Sequence, residues 1–496
     1  MIRKESPALA ALVVMGLLAI PWLHPITYGP TPAVVQWLLV CFLAIGVWSF
    51  RGIAPIKEPA NSRIVAIAWV AAAALSAIMG LLQYSGLATH FAPWISDAGL
   101  GQAYANLRQR NQLATLLAIG LVAVLTLKND RSAFGGYVGL IIFTVILLET
   151  ANVATGSRTG LFQLALVVGL FAVWRADRWM LATAVLAYLA AAWLLPLATG
   201  LDPMSSGILG RAGESAPHCT SRLTLWSNVL HLIAQKPWFG WGWGELDYAH
   251  FITLYPGERF CEILDNAHNL PLHLAVELGI PVAAAFCAMC LWLIWRHKPW
   301  AEKDPTRQMA WGVLAVIGLH SMLEYPLWYG PFQLAVVLCI WLLWRHPEEQ
   351  AESVQGSLSV RAVTGGAVAA LLVLCAFVAW DYWRISQIYL PPAARHAAYR
   401  EDTLAKIQGP RFFKDQVQFA ELSTTKLALD NAVHMHALAK AMLHFSPEPR
   451  VVEKLIESAV MLHQDEEALF YLQRYKAAFP AQHAHWSAAL RVPKSD

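Results

Sequence analysis

Up to residue 380 the chain is built of apolar runs of roughly 15 to 21 residues, each close to the ~20 that cross a bilayer. That repetition restricts the fold more than any motif does. Inside lipid every backbone polar group must be satisfied within its own segment, so runs of this length become helices. Eleven spans are predicted, at about 8–24, 33–50, 64–84, 112–127, 134–150, 160–174, 179–199, 267–296, 308–325, 331–345 and 362–380. The expected fold class is all-α, a polytopic protein whose constant partner is the lipid bilayer. Composition agrees: 57% of the 496 residues are hydrophobic and 14% charged, against about 25% charged in soluble domains. A net charge of +3 is too small to suggest nucleic acid. Trp22, Trp94, Trp174, Trp295, Trp344 and Trp380 close apolar runs, as an interfacial belt does. The start, Met1-Ile-Arg-Lys, precedes an apolar run with no small-residue cleavage site and reads as a first span that stays in place.

Lys and Arg counts orient the chain. With the N-terminus cytoplasmic, fifteen lie inside: Arg3, Lys4, Arg51, Lys57, Arg63, Lys128, Arg131, Arg175, Arg178, Arg296, Lys298, Lys303, Arg307, Arg345 and Arg361. The outer side holds seven, Arg108, Arg110, Arg158, Arg211, Arg222, Lys236 and Arg259. Six of these are Arg, several beside apolar runs. Topology does not require them there, and anion binding is the simplest reason for them.

Residues 1–380 therefore form a transmembrane core with a large outer loop at 200–266. After Trp380 the composition turns polar with amphipathic helical periodicity, as in Val451-Val-Glu-Lys-Leu-Ile-Glu and Asp465-Glu-Glu-Ala-Leu-Phe-Tyr-Leu. Residues 381–496 are expected to form an outer domain of one or two tetratricopeptide-like hairpins. Such a domain serves partner contact or acts as a stabilising cap.

Chemistry concentrates between Cys219 and Gly279. This stretch opens Cys219-Thr-Ser-Arg222-Leu-Thr-Leu-Trp226 and passes through Lys236-Pro-Trp-Phe-Gly-Trp-Gly-Trp-Gly244. It closes Asp265-Asn-Ala-His268-Asn269-Leu-Pro-Leu-His273-Leu-Ala-Val-Glu277-Leu-Gly279. Arg158, between Gly-Ser and Thr-Gly, and Arg222, before an amphipathic segment, can each fork onto phosphate oxygens. Two guanidinium groups would neutralise a diphosphate both bound and leaving. His268 precedes a helix capped by Asn266 or Asn269. The positive field of a helix start favours phosphate nearby and a neutral imidazole able to take a proton from a hydroxyl. At the outer end of another span, His320 and Glu324 lie four apart on one face, either paired, orienting His268 or structural. Cys219 and Cys261 are the cysteines of the polar stretch. Outside the cytoplasm they suit a disulfide; otherwise they are two unpaired thiols. The glycines of Phe239–Glu245 have no following Lys-Ser/Thr and no preceding strand, so they make a tight turn and not a nucleotide loop. No His/Cys/Asp cluster has metal-ligand spacing, and neither metal nor cofactor is expected.

Taken in order, Gly156-Ser-Arg158-Thr-Gly160, then Ser221-Arg-Leu-Thr-Leu-Trp226 with Lys236-Pro-Trp-Phe-Gly-Trp-Gly, then Ala267-His-Asn-Leu-Pro-Leu with Glu277-Leu-Gly-Ile-Pro, resemble the O-antigen ligase/polymerase (Wzy_C) superfamily. Two further pieces resemble its bacterial O-linked protein oligosaccharyltransferases that glycosylate pilins (PglL-type). These are Asn106-Leu-Arg-Gln109-Arg-Asn111-Gln-Leu-Ala, where that branch commonly has Pro in place of Arg110, and His320-Ser-Met-Leu-Glu324-Tyr-Pro-Leu-Trp-Tyr329. The resemblance implies an enzyme of the Gram-negative inner membrane, its site facing the periplasm. It would move a glycan from undecaprenyl diphosphate to a Ser/Thr hydroxyl of a pilin-like protein, with inversion and without metal. Carried over, Arg158 and Arg222 hold the diphosphate and His268 activates the acceptor. Gln109, Asn111, Asn269, His320 and Glu324 support the site or its acceptor side. The rival readings are an O-antigen ligase acting on lipid A-core, a chain polymerase, and a lipid-linked sugar flippase. A flippase would show inverted internal repeats, which are not seen here.

Overall fold

The computed structural model of the protein describes residues 7–53, 60–129, 137–208, 210, 218–344 and 358–491. Arg3, Lys4, Lys57, Arg131, Arg211 and Arg345 lie outside the described residues. Everything regular among the described residues is helical. In chain order the main helices are α1 Pro7–Leu23, α2 Pro32–Ile53, α3 Ala60–Tyr84, α4 Arg110–Asn129, α5 Val138–Ala154, α6 Arg158–Val173 and α7 Arg178–Ala198. Then come α8 Arg222–Gln235, α9 Leu246–Ile252, α10 Leu270–Leu278, α11 Ile280–His297, α12 Pro305–Ser321, α13 Gly330–Trp344 and α14 Leu358–Ser386. The chain ends with α15 Lys414–Thr424, α16 Ala432–Met442, α17 Pro449–Met461, α18 Asp465–Ala478 and α19 Pro480–Arg491.

Among the described residues, five segments are long and apolar enough to cross a membrane: Ser62–Tyr84, Arg110–Lys128, Arg178–Ala198, Ile280–Ala301 and Val363–Tyr389. Five more apolar helical segments are shorter. Helix α12, expected as a span, is in neither group. Its Gln308, Met309, Val313, Val316, Ile317 and His320 are buried against protein, so its surroundings do not demand an unbroken apolar sequence. The span expected over 267–296 is also corrected. It breaks at Gly279, φ 90° and ψ 161°, into α10 and α11, with Pro281 following, and the Pro237–Gly244 turn presses so closely there that a Cβ on Gly279 would lie 2.2 Å from the Trp238 carbonyl oxygen.

Two compact units emerge, Met1–Glu214 with Ile294–Ala379, and Ser215–Leu293 with Trp380–Asp496. In the first, α4 is the innermost helix. Its Leu113, Leu116, Leu117, Ile119 and Leu121 are fully buried. Gly120 lets α3 close in, where a Cβ would meet that of Ala73 at 2.4 Å. Small residues permit such backbone approach where lipid offers no hydrophobic drive between helices.

The second unit joins the polar stretch to the C-terminal residues. One core gathers Leu225, Val229 and Leu232 of α8 with Phe260, Leu264 and Val276. The other packs Phe251 of α9 with Phe419, Leu422, Met435, Leu455 and Tyr475. Helix α17 is amphipathic for this purpose, burying Val451, Val452, Leu455, Ile456 and Ala459 on one face behind a Pro449 start. Polar ties join the same pieces. The His444 ring meets the Glu245 carboxylate at 2.7 Å and stacks on Tyr248, and Arg474 donates to the Ile252 carbonyl at 2.8 Å. Residues 215–293 and 380–496 thus cluster as one compact unit.

Candidate functional site

In the second unit, α8 begins at Arg222. Ser221 is its N-cap, its hydroxyl accepting from Thr224 N–H at 3.1 Å, which fixes where the helix starts and leaves Arg222 exposed in its first turn. One turn on, the Trp226 indole donates to the Ala267 carbonyl at 3.1 Å. Ala267 precedes His268, so α8 is tied to the backbone that leads into His268. Asn228 reinforces the seam, donating to the Glu258 carbonyl at 2.9 Å and accepting Phe260 N–H at 2.8 Å. Cys219 and Cys261 are disulfide-bonded, Cα atoms 5.4 Å apart, beside a Cys261 N–H to Cys219 carbonyl bond.

His268 adopts the left-handed backbone conformation, φ 49°, uncommon for a residue with a Cβ. Asn266 holds it there by accepting its N–H at 2.8 Å. Asn269 is the helix cap, accepting Leu272 N–H at 3.1 Å, and Pro271 follows in the first turn. The imidazole thus stands, half-buried, at the mouth of α10. Local backbone strain maintained by surrounding bonds is a mark of functional positions. The far end of α10 is gripped by the glycine turn. Trp241 and Gly242 donate to the carbonyls of Val276 and Glu277 at 2.9 and 3.0 Å, and Ile280 donates to Pro237 at 2.8 Å. Gly240, φ 68°, is needed because a Cβ there would sit 2.3 Å from the Glu277 carbonyl. The aromatic-glycine motif is therefore the clamp that sets the His268 helix.

Acidic groups around this helix were not singled out by the sequence. Asp265 lies close enough to His268 for the imidazolium to lower its carboxyl affinity for protons, although burial raises it overall. Burial likewise pushes Glu277 up to about 7, against the pull of the Gly244 and Leu246 N–H groups, and Asp247 up to about 7. His273, 3.4 Å from Glu277, is lowered to about 4 by burial and by nearby His268. Burial disfavours both charges of that pair. The only available signal was spacing: His273 and Glu277 are four apart on the helix that His268 opens.

The first unit assembles the other candidates. Ser157 caps α6, accepting Gly160 N–H at 3.0 Å, and leaves Arg158 exposed in the first turn. The Ser157 hydroxyl donates to Asn111 Oδ1 at 2.6 Å, while Asn111 Nδ2 donates to Glu324 Oε1 at 3.3 Å. Asn111 thus links the Glu324 carboxylate to the residue that starts the Arg158 helix. Beneath it, the Thr115 hydroxyl donates to the Asn111 carbonyl and accepts from Gln163 Nε2, each at 2.8 Å. Its one proton being used, Thr115 receives His320 Nδ1–H, also at 2.8 Å. His320 is fully buried as a tether between α12 and α4. Gln109 accepts Gln112 N–H at 3.1 Å and so supports the first turn of α4. Buried Gln83, unremarked in sequence, and Asn106, which opens the Asn106–Asn111 motif, build the 85–109 loop. Gln83 accepts the N–H groups of Tyr104 and Ala105, and Asn106 donates to the carbonyls of Leu23 and Trp94.

The outer Arg residues divide. Arg108 donates to the Pro25 carbonyl at 3.0 Å and Arg259 to the Thr253 carbonyl at 2.9 Å, which gives both a structural use. Arg158 and Arg222 project from capped helix starts, where the helix dipole adds to their charge. Arg222, His268 and Asn269 share one unit; Arg158, Gln109, Asn111, His320 and Glu324 share the other. No group of three or more His, Cys, Asp or Glu among the described residues is arranged to hold a metal ion.

Against this geometry, residues 143–287 match the O-antigen ligase family, residues 103–127 the protein glycosylation ligase family, and residues 308–492 the C-terminal part of the virulence factor membrane-bound polymerases. The chain is thus similar to O-antigen ligases, and within that class to PglL-type enzymes. A General O-oligosaccharyltransferase of Acinetobacter baylyi is 26% identical over 453 residues, 85% of this chain and 70% of its own length. A ComP-specific O-oligosaccharyltransferase of the same organism is 24% identical over 240 residues, 48% of this chain and 43% of its own.

Proposed function

We propose that the chain is a PglL-type O-oligosaccharyltransferase that moves a glycan from undecaprenyl diphosphate to a Ser/Thr hydroxyl of a pilin-like protein at the periplasmic face of a Gram-negative inner membrane. It crosses that membrane eleven times from a cytoplasmic N-terminus, and residues 381–496 form a tetratricopeptide-like outer domain. The observation that supports the reading is the Trp226–Ala267 bond, which ties the helix that Arg222 begins to the backbone residue before His268. In this mechanism the acceptor oxygen attacks the anomeric carbon from the face opposite the diphosphate, with inversion. The glycosyl–phosphate C–O bond breaks, the hydroxyl proton passes to the His268 ring, and Arg222 takes up the negative charge growing on the departing diphosphate. A guanidinium does here what a divalent ion would otherwise do, so transfer proceeds without metal. Asp265 stabilises the imidazolium once it forms.

The matches to O-antigen ligases favour one other acceptor, the lipid A-core sugar. Purified protein in detergent, given lipid-linked glycan and either pilin or rough lipopolysaccharide, separates the two: glycan on pilin is expected, and transfer to lipopolysaccharide alone would refute the protein acceptor. His268→Ala abolishes transfer while donor binding and the folded fraction stay as in the parent. Turnover retained in that variant would remove His268 from the chemistry.

A further inference from the structure

Helix α8 has a face that the core of its own unit does not use. Thr224, Leu225, Asn228, Val229 and Leu232 are buried. Opposite them Leu223 and Leu230, seven residues and two turns apart on one side, are 78% and 55% exposed. Between Arg222 and Lys236 the exposed positions are Leu223, Ser227, Leu230, Ala234 and Gln235, none of them charged. A face that met only water would carry charge. The turn that follows extends the apolar surface with Trp238, 71% exposed, and Phe239, 90% exposed.

What covers this surface is given by where the turn is fastened. The Pro237 carbonyl accepts Ile280 N–H at 2.8 Å. Ile280 begins α11, a helix long and apolar enough to cross a membrane, with Ile280, Val282, Leu291 and Trp292 among its outward side chains. The first residue of a spanning helix marks the edge of the hydrocarbon, so Pro237 and the two rings after it lie at that edge too. Arg222 and Lys236 stand at the two ends of α8, placed as cations that meet lipid phosphates while apolar neighbours enter the acyl layer.

The geometry points to α8 and the Trp238–Phe239 turn lying in the headgroup–acyl boundary of the bilayer as an interfacial helix. This surface sets the depth of the site. Arg222 at the end of α8, and His268 tied to it through Trp226, sit at the level of lipid phosphates, not above the membrane in water.

The test reads depth and not turnover, so it stands apart from the donor reading. In full-length protein whose five unpaired cysteines are replaced by Ala, single spin labels go at Leu223, Leu230 and Phe239. Further labels at Val282 and Glu262 serve as lipid and water standards, and the protein is reconstituted in phosphatidylethanolamine–phosphatidylglycerol nanodiscs. Labels at 223, 230 and 239 are expected to be relaxed by oxygen and shielded from an aqueous nickel chelate, as at 282. Nickel access equal to that at 262 overturns the proposal. Access by neither reagent overturns it as well, because protein would then cover the face. All three positions are exposed and each reports independently, so one variant that fails to fold does not spoil the test.

Discussion

Replacing Gly279 by Ala tests whether the aromatic-glycine turn is what sets the His268 helix. The new Cβ would lie 2.2 Å from the Trp238 carbonyl oxygen and 2.5 Å from its carbon, both backbone atoms that cannot rotate aside. The φ of 90° with ψ of 161° adds to this, since that region is almost closed to residues other than glycine and costs about 1–3 kcal/mol. Relief requires the turn to back away from α10. That strains the bonds from Trp241, Gly242 and Ile280, of which losing two removes about 1 kcal/mol each. The total, about 3–5 kcal/mol, raises the population of the opened unit at least about a hundredfold. Native-state proteolysis of the full chain in detergent reads this population, as cleavage within residues 237–280. Gly257→Ala is the control, because nothing lies within 4 Å of a Cβ there. Transfer falls with the opened fraction because α10 no longer fixes the imidazole. A Gly279→Ala protein as protease-resistant and as active as the Gly257→Ala control would refute the clamp.

Three further outcomes are expected. Asn111→Asp sets a carboxylate against Glu324 Oε1, now 3.3 Å from Asn111 Nδ2, and raises the donor KM about tenfold (~1.4 kcal/mol); adding Glu324→Gln restores a donor–acceptor pair and the parental KM, and absence of rescue in the double variant refutes the link to Arg158. Arg222→Lys lowers kcat/KM for lipid-linked donor about a hundredfold because an ammonium cannot fork onto phosphate, while parental kinetics in that variant would dismiss the diphosphate role. Glu277→Gln changes the pH profile of stability. The buried carboxyl keeps a proton up to about 7, whereas the unfolded chain releases it above its usual 4.5. Its contribution is therefore complete below that value and lost as pH rises to about 7. Relative to the parent, the variant gains up to about 3 kcal/mol across that window, read from thermal unfolding at each pH. A difference that does not vary with pH would show Glu277 to be an ordinary ionised carboxylate.

The helical content was legible because length and hydrophobicity decide it locally. The break at Gly279 was legible in part, since Gly279 and Pro281 are themselves breakers within the apolar run. What spacing could not reveal is that the Trp238 carbonyl packs against this point, where a Cβ on residue 279 would lie. Nor could spacing reveal that residues 215–293 pack with the C-terminal helices, because the Glu245–His444 pair spans 199 positions. His320 illustrates a different difficulty. Spacing leaves it paired with Glu324, orienting His268 or structural, and its bond to Thr115, which also accepts from Gln163, appears only once α4 and α6 are packed.

The unit that carries His268 is sewn from two separated lengths of chain, with residues 294–379 running between them. Synthesis therefore delivers residues 215–293 well before the length that completes their second core. Until Phe419, Leu455 and Tyr475 arrive, Phe251 has nothing to close against. A chain cut before residue 419 would therefore leave Phe251 without the partners that complete its core, more than a hundred and sixty positions downstream.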